Sequence, residues 1–278
     1  MTQQKRSGKK FPEENILDFY FVLWYDLFMP KILPLFKSHY SIGKSILRND
    51  LKSYETHPDL NIFNLAKTHN LNEVTIVEDS MTGFLESLKT SEQLNINLQF
   101  GLKIFLNIDS DNSCLGSKYI IFSKNQQGCK LLNKISSESS FKEKFSLENL
   151  KQLWSNDDLI MGIPFYDSFL FQNLMFFDSC IPDFSFCDPV FFTEDNGLPF
   201  DHTIFDSINV YCEKYGYEIY PTKSIYYNKK SDFKAYQTYK CICNRSSNYK
   251  SISLESPNLD HCSSNEFCFE SYLENESA

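Results

Sequence analysis

The sequence predicts an α+β chain, with a mixed N-terminal lobe followed by a small helix-plus-antiparallel-sheet domain. Three observations carry this reading. Helix-spaced and strand-spaced apolar residues interleave from Asp59 to Ser123. A polar stretch from Lys124 to Glu148, rich in Ser, Lys, Asn and Glu, reads as a linker or an exposed helical connection. The last quarter gathers cysteines, aromatics and lysines into a pattern of its own. The expected division is residues 1–150 as a mixed α/β lobe, 151–196 as an aromatic-rich strand region packing with it, and 197–278 as the smaller domain.

The 278 residues are 42% hydrophobic and 16% aromatic, enough to build a real core, so disorder throughout is excluded. A net charge of −9 argues against nucleic-acid binding over the whole surface and leaves only local binding. Nine cysteines without a secretory pattern fit a reducing compartment, with free thiols or a metal, better than a disulfide framework. Lys5, Arg6, Lys9 and Lys10 precede an apolar run and mimic a signal peptide. Pro12, Glu13, Glu14, Asp18 and Asp26 interrupt that pattern, and the basic cluster fits a nuclear address weakly, a solvated terminus being the commoner reading.

In chain order, Glu13 to Met29 is apolar between Pro12 and Pro30 and reads as a buried helix, too short and too acidic to span a membrane. Lys31 to Leu51 continues with mixed helical patterning, and Asp59 to Asn70 is a further helix. Glu73 to Glu78 is a strand, Thr82 to Leu94 a helix with Phe84, Leu85 and Leu88 on one face, and Leu98 to Ile108 and Lys118 to Ser123 are strands. Leu159 to Phe165, Phe169 to Phe177 and Phe184 to Phe192 are strand-like runs parted by Pro164, Pro182 and Pro189.

Beyond Leu198, Phe205, Ile208, Val210, Tyr211 and Tyr215 recur at helical spacing, and Gly216 stands where a left-handed C-terminal cap belongs. Tyr217, Ile219, Ile225 and Tyr226 are β-favouring, the turn Asn228 to Asp232 is polar, and Ala235 to Cys243 reads as the second strand of a hairpin. Lysines crowd this stretch and point to a phosphate backbone as partner. The tail from Ser251 carries Glu255, Asp260, Glu266, Glu270, Glu274 and Glu276 with no Lys or Arg, and could mask that basic surface.

The series Phe205-Asp206-Ser207, Tyr215-Gly216-Tyr217, Lys223-Ser224, Tyr239 to Ser246 and Tyr249-Lys250 resembles the FAR1-type zinc-binding DNA-binding domain of the WRKY-GCM1 superfamily. Such domains occur in transcription factors and at the front of Mutator-like transposases. The resemblance implies sequence-specific DNA binding in the nucleus, as a transcription regulator or a transposon-derived protein. Zinc would be the cofactor, and Cys243 and Cys268 would be ligands. The family's closing His-x-His pair has no match, so completion falls to Cys241, His261 and Cys262, or the site is degenerate or the copy truncated. Lys223, Lys229, Lys230, Lys234, Lys240 and Arg245 would hold phosphates as the sheet enters the major groove. A solvated hairpin face accounts for the same lysines.

Two alternatives compete. Ile163-Pro164-Phe165, Asp178, Pro182, Phe191-Phe192, Glu194-Asp195, Gly197 and Pro199-Phe200 resemble BRE-family scaffold subunits of deubiquitinase complexes. That resemblance implies a ubiquitin-conjugating-like fold, no catalysis and a protein partner. A strand running into Asp109-Ser110-Asp111 resembles the metal-diphosphate motif of sugar-nucleotide glycosyltransferases, where a solvated turn is the simpler account. The scattered histidines support no catalytic triad.

Overall fold

A computed structural model describes residues 31–107, 116–142, 144–177, 180–243 and 263–277. The expected helix at Glu13 to Met29 lies outside these, as do Asp109, Asp111, Arg245, His261 and Cys262.

Seven strands close into one barrel in chain order: β1 (Leu33–Phe36), β2 (Glu73–Glu78), β3 (Asn97–Leu106), β4 (Ser117–Ser123), β5 (Leu159–Ile163), β6 (Val190–Thr193) and β7 (Ile219–Ile225). β4 runs antiparallel to both β3 and β5, and every other neighbouring pair is parallel. β7 returns to β1, with Leu35 opposite Ser224 and Phe36 opposite Ile225. This overturns the expected fold class. The strands on either side of residue 196 belong to one mixed barrel, and the described residues form no small helix-plus-antiparallel-sheet domain of WRKY-GCM1 type.

Helices α1 (Leu51–Thr56), α2 (Ile62–Thr68), α3 (Phe84–Leu94), α4 (Gln126–Phe141), α5 (Leu147–Lys151), α6 (Phe169–Phe176), α7 (Asp201–Tyr215), α8 (Phe233–Cys243) and α9 (Phe269–Ser277) fill the connections. Their starts follow side-chain chemistry. Asp50, Asn61, Asn125, Ser146 and Ser168 each accept a backbone N–H of the first turn. Gly216 ends α7 in the left-handed region as expected, at φ 76°. The polar stretch after Lys124 is mostly α4, which buries Leu132 and Ile135. Phe169 to Phe176 is helix rather than strand, and so is Phe233 to Cys243, so the expected hairpin does not form.

Side chains sort by the two-residue period of a strand. Leu33, Leu35, Val77, Ile120, Phe122 and Phe192 form a core inside the barrel. Phe100, Leu102, Ile104, Ile121 and Met161 belong instead to the outer clusters, between sheet and helices. Gly101 and Gly162 make room inside. A Cβ at Gly101 would lie 2.5 Å from the Phe122 ring, and one at Gly162 would lie 2.7 Å from the Phe192 ring. No described helix is long and apolar enough to cross a membrane.

Candidate functional site

On five of the seven strands one further two-residue step leads from this apolar floor to a charged rim, while β5 and β7 bring Pro164 and Ser224 there. Lys37 follows Leu35, Asp79 follows Val77, Lys103 follows Gly101, Glu194 follows Phe192, and on the reversed β4 Lys118 precedes Ile120. The rim therefore lies at the C-terminal end of the parallel strands, the end at which all-parallel (β/α)8-barrel enzymes bind their ligands. A cavity of about 370 Å³ opens there, lined also by Lys44, Lys240, Asp167, Tyr166, Ser224, Tyr226 and Phe267.

The loop after β1 is fixed by a buried carboxylate. Glu78, at the end of β2, accepts Ser38 N at 2.8 Å and the Ser41 hydroxyl, and Ser41 Oγ in turn accepts Asp79 N at 3.1 Å. Burial pushes the Glu78 pKa up, and these serine hydrogen bonds oppose the shift. Further along the loop, Ser45 Oγ donates to Tyr226 O at 2.8 Å and Ile46 N to the same oxygen at 3.1 Å. Lys44 therefore stands on a loop held at both ends.

Two ion-pair groups stand side by side on the neighbouring strands β1 to β4. Lys37 Nζ donates to Asp79 Oδ1 at 2.7 Å. Burial lowers the Lys37 pKa, with Asp79 pulling it back up. Beside them Asp167 Oδ2 takes Lys118 Nζ at 2.9 Å and faces Lys103 Nζ at 3.6 Å. Asp167 has φ 67°, left-handed backbone that a side chain occupies only when its surroundings fix it. Here Lys118 N also donates to Asp167 O at 2.8 Å and supplies that fixing.

Burial opposes ionisation of both aspartates, but Lys37 beside Asp79, and Lys103 and Lys118 beside Asp167, hold each carboxyl below the usual range. A carboxyl depressed in the folded state stabilises the fold fully above its unfolded pKa of about 3.9, and that contribution fades as pH falls through the lower folded value. Acid denaturation is therefore expected to steepen below about pH 4. Asp167→Asn should flatten that limb in a circular-dichroism titration, and an unchanged limb would contradict the pairing.

Glu194 behaves oppositely. Fully buried, it accepts Ser224 Oγ at 2.7 Å, Ser224 N at 3.1 Å and Asn196 Nδ2 at 2.8 Å, yet burial still raises its pKa. Aromatic rings make the remaining wall. Tyr226 stacks on Phe267 at 5.6 Å and 13°, and Tyr166 leans on Phe267 at 5.8 Å. Phe267 arrives on the C-terminal segment, which runs parallel beside Tyr227 through the Tyr227–Cys268 bridge.

The residues expected to bind DNA scatter. Lys240 is buried on α8 and lines the mouth. Lys223 is buried and donates to Asp195 O at 2.8 Å. Lys230 pairs with Glu266 at 3.1 Å and Glu274 at 2.7 Å, so the acidic tail does reach it. Lys229 and Lys234 are exposed.

Of the expected zinc ligands, Cys241 and Cys243 are half-buried thiols on α8. Cys268 is buried, its Sγ 3.2 Å from Ser271 Oγ, and burial raises its pKa. Among the described residues no three potential ligands gather around a metal position. Cys129, Cys187 and Cys212 are free thiols as well, and Cys180 is disulfide-bonded.

Sequence reasoning missed Lys37, Lys44, Asp79, Lys103, Lys118, Asp167 and Tyr166 as site residues, and had Glu194 only as part of a scaffold resemblance. The available signal was a charged residue placed in step with the inward-facing positions of five of the strands.

No family model matches the chain, and no curated protein does. Among solved structures, one assigned as a metal-dependent phosphoesterase from Bifidobacterium adolescentis matches with 16% identity and a TM-score of 0.26. The match covers 40% of this chain and 34% of that one, and at this TM-score it carries no argument about fold or chemistry here.

Proposed function

We propose that the barrel mouth binds a small phosphate-bearing anion. One observation carries the reading: five lysines, Lys37, Lys44, Lys103, Lys118 and Lys240, surround a single cavity against only Asp79, Asp167 and Glu194. Low-dielectric walls make such an excess of cations a strong anion trap. The volume lies within the range of small-molecule sites, about 300–1,000 Å³. The Tyr166 and Tyr226 rings, Tyr226 backed by the buried Phe267, offer faces for the sugar or base that would carry the phosphate.

Calorimetric titration of the full chain with inorganic phosphate, then a nucleoside monophosphate, tests the reading. Saturable one-site binding that weakens with added salt is expected; no heat at low salt with either compound would remove it.

Sulfate, whose charge is fixed above pH 3, isolates the protein's own protons. Protonating Glu194 removes a negative charge from the wall. Affinity should therefore rise as pH falls toward the raised Glu194 pKa. Glu194→Gln should hold the higher affinity at every pH, a gain of about 1 kcal/mol. The substitution fits the site, because Ser224 Oγ can turn to accept from the new amide. A sulfate affinity in this variant no higher than in the native chain would contradict Glu194's place at the mouth.

A further inference from the structure

We propose that Lys44 is a nucleophilic amine that forms an imine with a small phosphorylated aldehyde or ketone held in the mouth by the neighbouring lysines. The inference rests on the anion-binding reading and deepens it by naming the substrate class.

Partner geometry singles Lys44 out. Lys37 is tied to Asp79 at 2.7 Å, and Lys103 and Lys118 share Asp167. Lys44 has no carboxylate within ion-pair distance among the described residues, and its side chain lines the cavity half-buried. Its loop is preorganised, with Lys44 N on Ser41 O at 2.9 Å and Gly43 N on Tyr239 Oη at 3.4 Å.

Burial, followed by the nearby Lys118 and Lys240 charges, lowers the Lys44 pKa against the pull of Asp79 and Asp167. Desolvation together with adjacent cations is an established way to make a lysine nucleophilic. The ammonium proton leaves to solvent, and the Nζ lone pair forms the C–N bond while the carbonyl π pair moves to oxygen and is protonated. The resulting carbinolamine loses one water to give the C=N bond. Amine plus carbonyl become imine plus water, with no oxidant or reductant.

The probe is pyridoxal 5′-phosphate on the full chain, with borohydride supplying the hydride that fixes the imine, followed by peptide mapping. Label is expected on Lys44 at least about tenfold faster than on exposed Lys52 or Lys89. Inorganic phosphate should slow the labelling, and Lys44→Arg should remove that label. Labelling confined to exposed lysines, or Lys44 labelling that phosphate fails to slow, overturns the proposal. Phosphate affinity of the unlabelled chain, measured separately, distinguishes the two readings. Phosphate bound with no label at Lys44 sinks the imine alone, and phosphate unbound sinks the pocket reading with it.

Discussion

Replacing Lys103 and Lys118 together with glutamine is expected to lower sulfate affinity at least about a hundredfold while the barrel stays folded. A hydrogen bond to a charged group contributes about 1.5–3 kcal/mol, so losing two such donors accounts for that factor on its own. The second effect has the same sign: Asp167, stripped of both partners, becomes an uncompensated negative charge facing the incoming anion. Folding should survive because the Asp167 side chain is 41% exposed and water can replace its partners. The two measurements are a sulfate titration and a thermal melt followed by circular dichroism. Affinity within threefold of the native chain, at an unchanged melting temperature, would show that these lysines do not hold the anion.

Much of the chain's local structure is legible before any coordinates. β2, β3, β4, α3 and α7 fall close to where hydrophobic spacing puts them, and Gly216 caps α7 as its position suggests. The failures share a cause, which is that short or uniformly apolar runs carry no period. Phe169 to Phe176 is apolar at nearly every position, so a buried helix and a buried strand look alike, and only Ser168 as an N-cap distinguishes them. In α8 the aromatic and Thr content argues for a strand, while the residues actually buried are Tyr236 and Lys240, four apart on one helical face. β1 has four residues and contains Pro34, which reads as a strand breaker.

That missed strand decides the architecture. Without β1 there is no closure, and its pairing with β7 joins residues as far apart in sequence as Leu33 and Thr222, for which no local pattern exists. The site suffers the same fate. Lys37, Asp79 and Lys118 each look like an ordinary charge at a strand terminus, and Lys103 like a polar interruption within β3, until closure points them into one cavity. The basic cluster that stands out in the sequence is, by contrast, dispersed by folding. Lys230 goes to tail carboxylates and Lys223 to a backbone oxygen, and Lys240 joins the mouth.

The interior that supports the mouth should be the least tolerant part of the molecule. Phe122 is fully buried, with its ring 6.2 Å from that of Phe192 at 68°. Phe122→Ala is expected to cost about 3–5 kcal/mol, transfer and cavity terms together. That is a large share of the roughly 5–15 kcal/mol that holds an ordinary domain together. Urea denaturation should show a lowered midpoint with an unchanged slope.

Gly101 allows a sharper test of the same packing. Two of the three atoms nearest to a Cβ built there belong to the Phe122 ring, the closest at 2.5 Å. In the native chain Gly101→Ala should therefore overpack the barrel and destabilise it by about 1–3 kcal/mol. In the Phe122→Ala background the closest clash is gone and only Ile120 Cγ2, at 3.0 Å, still crowds the methyl, so its cost should largely disappear. The coupling between the two substitutions should thus exceed about 1 kcal/mol, whereas strict additivity would mean that these groups do not meet inside the barrel.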